Sequence, residues 1–149
     1  MRNAGAVIVG LAVLAAVIGP WVAPFDPSAQ ELALRLEGPS RLHWLGLDEL
    51  GRDILARVVS GARVSLFVGL VVVSVSASIG GVMGSLAGYY GGIVDEVISR
   101  IIDILLAFPG LLLAIALVAV LGPSLTNVAL ALSLIGWVGY ARVVRAQVL

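Results

Sequence analysis

The chain has 149 residues, of which 60% are hydrophobic and only 12% charged, and its mean hydropathy is +1.12. Soluble domains carry about 25% charged residues, so a soluble fold of this size would lack the polar side chains to cover its surface, and the composition points to an integral membrane protein. Nine arginines balance nine acids, lysine and cysteine are absent, and His43 is the single histidine; this argues against a charge-driven nucleic-acid binder and removes disulfides, thiolate catalysis and Cys- or His-rich metal sites.

Three uncharged runs organise the chain: Asn3 to Phe25, Val64 to Val94 and Ile104 to Ala141. A helix needs about 20 apolar residues to cross a bilayer. The first run predicts one span near Ala4 to Val22. A cleaved signal peptide competes for this segment, because Arg2 precedes the apolar stretch. That stretch continues to Pro20, longer than a usual signal core, and no clean small-x-small site follows.

The polar segment Pro24 to Arg63 holds five of the arginines, six of the acids and His43. Pro24-Phe25-Asp26-Pro27 cannot continue a helix. Further on, Asp48 is the expected N-cap of an amphipathic helix. Ile54, Leu55, Val58, Val59 and Ala62 lie on one face, Arg52, Asp53, Arg57 and Ser60 lie on the other, and Asp53 and Arg57 form an i, i+4 pair. Two readings stay open for it: a helix lying on the membrane surface, or an ordinary extramembrane helix packed on protein.

A second span is predicted over Val64 to Leu86. Along it Ser76, Gly80, Gly84 and Gly88 recur every four residues, a spacing that lets two membrane helices approach backbone to backbone; ligand contact is the alternative use of such a stripe. Gly88-Tyr89-Tyr90-Gly91-Gly92 then permits a tight turn, with the tyrosines suited to the interfacial belt. From Ile93 to Asp103 the pattern is amphipathic. Asp95, Glu96, Ser99, Arg100 and Asp103 face one way, Ile93, Val94, Val97, Ile98, Ile101 and Ile102 the other, and Glu96 and Arg100 pair at i, i+4. The third span follows from Ile104 to Leu121 with a kink expected at Pro109. Gly122-Pro123-Ser124 turns the chain into a fourth span from Leu125 to Ala141. The expectation is therefore an all-α membrane protein of four transmembrane helices with amphipathic interfacial helices. Its segments are residues 1–23 (first span), 24–63 (loop) and 64–149 (a core of three helices). Arginine numbers on the two sides of the membrane nearly balance and do not set the orientation.

Chemistry is mostly excluded. A Walker A loop needs a lysine to reach the phosphates, and there is none. The spans carry no charge at depth, which argues against an ion-coupled transporter or proton pump. One histidine in a polar loop cannot complete a Ser/His/Asp set. No catalytic, cofactor-binding or metal-binding residue is assigned, and no cofactor is expected. A protein that moves a solute without an energy source of its own must draw energy from a partner.

Taken in order, several pieces resemble the C-type permease subunit of the ABC importers for dipeptides, oligopeptides and nickel. They are Ala23-Pro24-Phe25-Asp26-Pro27, Arg35-Leu36-Glu37-Gly38-Pro39-Ser40, and the run from His43 to Asp53. Gly61-Ala62-Arg63-Val64-Ser65-Leu66, Gly88-Tyr89-Tyr90-Gly91-Gly92 and Asp103 with Ala107-Phe108-Pro109 follow, and then Leu121-Gly122-Pro123-Ser124 and Gly139-Tyr140-Ala141-Arg142. The resemblance covers essentially the whole chain. It implies a bacterial or archaeal inner-membrane protein with a cytoplasmic N-terminus. It also implies a second permease subunit, two cytoplasmic ATPase subunits and an extracytoplasmic substrate-binding protein as partners, besides membrane lipid. Substrate would pass between the two permeases by alternating access, with peptides the default cargo and nickel, glutathione or short sugars carried by similar permeases. The family's Glu-Ala-Ala…Gly coupling loop and two further helices would lie beyond Leu149, so the expectation is a fragment or truncated frame, with Arg142 and Arg145 at the cytoplasmic end leading to that loop. Rival classes are a free-standing four-helix scaffold and, on Asp95, Glu96, Arg100 and Asp103, a membrane enzyme.

Overall fold

The computed structural model describes residues 2–148, and every extended element among them is helical. Helices α1 (Arg2–Val22), α2 (Ile54–Tyr90), α3 (Gly92–Leu106), α4 (Gly110–Leu121) and α5 (Leu125–Val148) follow one another, with a single 3₁₀ turn at Leu32–Leu34. The chain divides into two compact units, Met1–Phe67 and Val68–Leu149.

In the first unit α1 meets the start of α2 at Gly19, where an added Cβ would collide with the Val59 side chain. Between the two helices the chain forms a tied loop. Leu47 and Asp53 make an isolated antiparallel bridge, and the Leu47 N–H donates to the Glu37 carbonyl at 2.9 Å. The helix expected from Asp48 begins instead at Ile54, and its N-cap is Asp53. Asp53 Oδ1 accepts the Ala56 N–H at 2.7 Å, and its carbonyl accepts the Arg57 N–H at 3.1 Å. The reason lies at Gly51, whose φ of +70° is a left-handed conformation that no helix contains. A Cβ there would also run into the Glu31 carbonyl. Asp48 closes the resulting turn, accepting the Leu50 N–H at 2.8 Å and the Arg52 N–H at 3.0 Å.

In the second unit α5 packs on α4 and α3. The core gathers Ala87, Ile98, Ile102, Trp137, Val138 and Ala141, with Met83 and Leu105 against them. Only Ile98 and Ile102 of the six apolar residues on the expected face of α3 are buried. The turn between α4 and α5 is satisfied by side chains. Asn127 Nδ2 donates to the Leu121 and Gly122 carbonyls at 2.8 and 3.0 Å, and Ser124 Oγ accepts the Asn127 N–H at 3.1 Å. These bonds fill acceptors at one helix end and a donor at the next helix start that would otherwise be left open.

Pro109 does more than kink a helix. The helix ends at Leu106, a new one starts at Gly110 with Pro109 as its N-cap, and the two are bent by 83°. Proline has no N–H to offer the preceding turn and disfavours a helical residue before it. By length and composition α2 and α5 can each cross a membrane, and the bent pair α3–α4 makes a third span if counted as one. The apolar part of α1, Gly5–Gly19, is shorter. Four separate long spans is thus a finer count than helix length alone establishes. Leu111, Leu112, Ile115 and Val120 of α4 are all exposed, an arrangement suited to lipid and not to water.

Candidate functional site

Two arrangements of side chains stand out, one in each unit. In the second unit Ser76, Gly80, Gly84 and Gly88 run along α2 directly against α5. A Cβ at Gly80 would lie 2.5 Å from the Trp137 carbonyl oxygen, and one at Gly84 would lie 2.5 Å from that of Ala141. At Gly88 it would lie 2.7 Å from Val148 Cβ. Ser76 is 1% exposed and its hydroxyl donates to the Ser133 carbonyl at 3.3 Å. The fit is reciprocal, since a Cβ at Gly136 would lie 2.6 Å from Ser76 Oγ. The facing residues of α5 were missed in the sequence. Their signal is Ser133, Trp137, Ala141 and Arg145 at steps of four, disguised because the large indole and guanidinium alternate with the small Ser133 and Ala141.

At the Gly88 end of this seam, Arg145 and Asp95 form an ion pair. Arg145 Nη2 donates to Asp95 Oδ2 at 2.7 Å, and Nε lies 2.5 Å from Oδ1 without the alignment of a hydrogen bond. The pair ties α5 to α3 across fifty residues of sequence. It takes Asp95 as the acid partner on α3, where the helical spacing favours Glu96 with Arg100. Ser99 Oγ adds a weak bond to Asp95 at 3.4 Å. Arg142 is exposed one turn away and joins neither group. Pro109 stands at the break described above, apart from both.

In the first unit the loop carries the polar network. His43 Nδ1 lies 2.8 Å from Asp53 Oδ2, and both residues are buried. Asp53 therefore serves the helix cap with one oxygen and His43 with the other. Asp48 gathers Arg52, whose Nε donates to it at 2.9 Å, and Arg57. The expected Asp53–Arg57 pair does not form, because Asp53 turns inward to His43 and leaves Arg57 to Asp48. Partial desolvation opposes the charge on Asp48, but the Arg52 and Leu50 amides and the Arg52 guanidinium outweigh it and bring its pKa down to about 2. Asp26 is held below its ordinary value by the Ser28 hydroxyl, 2.5 Å away, and the Ser28 amide. Beside this network a cavity of about 380 Å³ is lined by Ala23 to Pro27 and by Ala56, Val59, Ser60 and Arg63. Among the described residues no group of three His, Asp or Glu side chains gathers to hold a metal ion. The hydroxyls that meet a carboxylate, Ser28 on Asp26 and Ser99 on Asp95, are two and four residues away in sequence and make local contacts, while the α2–α5 seam is a packing surface.

Known proteins agree with the resemblance read from the motifs. Residues 3–39 match the family described as the N-terminal TM domain of oligopeptide transport permease C, and residues 80–149 match the binding-protein-dependent transport system inner membrane component. The probable D,D-dipeptide transport system permease protein DdpC of Escherichia coli is 46% identical over 144 residues, 97% of this chain and 48% of that protein. The dipeptide transport system permease protein DppC of Bacillus subtilis is 44% identical over 149 residues, 100% of this chain and 47% of that protein. The glutathione transport system permease protein GsiD of another Escherichia coli strain is 45% identical over 150 residues, 100% of this chain and 50% of that protein. The chain spans about half the length of these relatives, and over that span it is a homologue of the C-type permease subunits of binding-protein-dependent peptide and glutathione transport systems.

Proposed function

We propose that this chain forms part of one transmembrane half of an ATP-driven importer for dipeptides and short oligopeptides. The observation that carries the reading is the identity of 44 to 46% with dipeptide and glutathione permeases over nearly the whole chain. It works in the bacterial inner membrane with a second permease subunit, two cytoplasmic ATPases and an extracytoplasmic binding protein. The chain itself has no ATPase. It crosses the membrane four times, through α1, α2, the bent pair α3–α4 and α5, with its N-terminus in the cytoplasm and the Pro24–Asp53 loop outside.

The α2–α5 seam supports this reading physically. A permease that switches between inward- and outward-facing states needs bundles that move as rigid bodies, and helices in backbone contact are hard to shear apart. In this scheme the Ser76–Gly88 stripe holds α2 and α5 as one moving body. Pro109 sets the direction of α4, and Arg142 and Arg145 lead towards the part of the permease that receives force from the ATPase. Residues that touch the substrate are not assigned.

The test is uptake. The reading frame that contains this chain is supplied, with its neighbouring permease, ATPase and binding-protein genes, to cells lacking their own peptide importers. Uptake of radiolabelled dipeptide that depends on ATP and on the binding protein is expected, with glutathione as the comparison substrate. Transport unchanged when this frame is deleted would sink the proposal.

A further inference from the structure

The turn from Ser40 to Gly46 is pinned from within. The Ser40 N–H donates to the His43 carbonyl at 2.8 Å, and the Ser40 hydroxyl oxygen accepts the His43 N–H at 3.0 Å. The His43 ring is buried, bonded to Asp53 and packed on Phe25 with ring centroids 4.8 Å apart. With His43 turned inward, its neighbours project outward: Leu42 is 66% exposed and Trp44 60%. Two large apolar side chains fixed outward by a bonded turn make a patch that water alone does not explain.

The same two side chains line a recess of about 200 Å³ together with Val22, Ala23 and Leu55. They therefore sit beside the last turn of α1, where Trp21 is 79% exposed. All of that helix but Arg2 lies within the match to an N-terminal TM domain. The Leu42–Trp44 surface thus continues the apolar surface of a membrane helix at the point where it ends. Indole rings favour this boundary, with an apolar body in hydrocarbon and an N–H in the polar layer. Exposed Arg41 stands next in sequence, and a guanidinium pairs well with phosphate.

We propose that the Arg41–Leu45 turn is a membrane-surface anchor. Leu42 and Trp44 insert into the headgroup layer of the bilayer beside α1, and the His43–Asp53 bond holds them in the inserting orientation. The element on the membrane surface is then this turn, not an amphipathic helix beginning at Asp48. The proposal concerns lipid contact and stands whether or not peptide is the cargo.

The chain contains no cysteine, so single spin labels report without background. Leu42→Cys, Trp44→Cys and Glu49→Cys are labelled in the full chain, reconstituted in vesicles of phosphatidylethanolamine and phosphatidylglycerol. Collision with oxygen, which concentrates in lipid, is compared with collision with a water-soluble nickel chelate. At positions 42 and 44 oxygen should dominate severalfold, and at exposed Glu49 the chelate should dominate. Native Trp44 gives a second measurement free of cysteine: the difference in emission between the parent and Trp44→Phe should be quenched by lipids brominated near the headgroup. Chelate dominance at 42 and 44 with no lipid quenching overturns the proposal, because the turn then stands in water. Protection from both reagents overturns it as well, because protein then covers the patch.

Discussion

Between Leu36 and Arg57 the chain is held by side-chain oxygens and nitrogens: Asp53 caps α2 while binding His43, and Asp48 gathers two amides and two guanidinium groups. Between α2 and α5 it is held by the lack of side chains, with Gly80 and Gly84 leaving space that the Trp137 and Ala141 carbonyls fill. The difference follows from solvent. In lipid, burying apolar surface between helices gains little, so close packing and small residues carry association. At a polar boundary water competes for every hydrogen bond, so a loop keeps its shape through several charge-assisted bonds that act together.

Breaking the seam should have the largest effect. In Gly84→Leu the first added carbon already lies 2.5 Å from the Ala141 carbonyl oxygen, and backbone cannot rotate away as a side chain can. The expected loss is about 3 kcal/mol or more, read as earlier unfolding in a detergent titration. Gly81→Leu is the matched control, since a Cβ at Gly81 meets nothing within 4 Å. It should leave the midpoint nearly unchanged. Equal damage from both would show that the stripe is not a special surface.

The loop has its counterpart in Asp53→Ala, which removes the cap acceptor and the His43 partner together. A lost cap costs about 1 kcal/mol and an orphaned buried polar group roughly 1–3 kcal/mol. Asp53→Asn keeps the capping oxygen and should recover part of the loss. Amide exchange at Ala56 and Arg57 would follow it, slow in the parent and fastest in the alanine variant.

Much of this was legible in the sequence and some was not, for reasons of range. The turns at Gly88–Gly92 and Gly122–Ser124 depend on residues a few positions apart, and the chain does turn there, with φ of +58° at Gly91 and +96° at Gly122. The cap at Asp53 depends on Gly51 folding back on Glu31, which no local pattern contains, so Asp48 looked the better start. Helical spacing paired Arg57 with Asp53 and Arg100 with Glu96. Such pairs are worth only a few tenths of a kcal/mol, too little to hold Arg57 to Asp53 once the fold sets Asp48 beside Arg57 and His43 beside Asp53. Asp95 meets Arg145 because α3 returns to α5, a contact set by helix packing and not by spacing.

That ion pair belongs to the second region yet uses the chemistry of the first. Asp95→Asn or Arg145→Gln should loosen α3 from the end of α5 and speed amide exchange in α3, with a smaller effect than Gly84→Leu. The exchanged pair, Asp95→Arg with Arg145→Asp, should restore part of the protection. No recovery would mean that the two residues act separately.

Acid should act on the loop and spare the middle of the seam, where Gly80 and Gly84 meet the Trp137 and Ala141 carbonyls and no carboxylate takes part. The pKa of Asp48 is lowered from 3.8 to about 2. A depressed value means that the carboxylate's contribution is complete above the unfolded pKa and disappears as pH falls through the folded one. Loop protection should therefore hold down to about pH 4 and decline towards about pH 2. Asp48→Asn should remove that acid limb. Loosening at Gly80 and Gly84 in the same window would mean that the middle of the seam is not held independently of charge.

The smallest expected effect lies at Leu36, the one described non-glycine residue with positive φ, at +60°. Its amide donates to the Asp48 carbonyl at 3.1 Å and its side chain is exposed, so the backbone is held in a left-handed conformation for the sake of the loop's bonds, not for a buried leucine. That conformation costs an ordinary L-residue roughly 1–2 kcal/mol, and asparagine tolerates it better. Leu36→Asn should therefore raise loop stability by about 0.5 kcal/mol, seen as slower amide exchange at Leu47 and Asp48. Leu36→Val, with a branched Cβ less suited to this region, should lower it. A leucine that proves better than asparagine would mean that its exposed side chain has a partner of its own, which would add it to the membrane-facing surface proposed for Leu42 and Trp44.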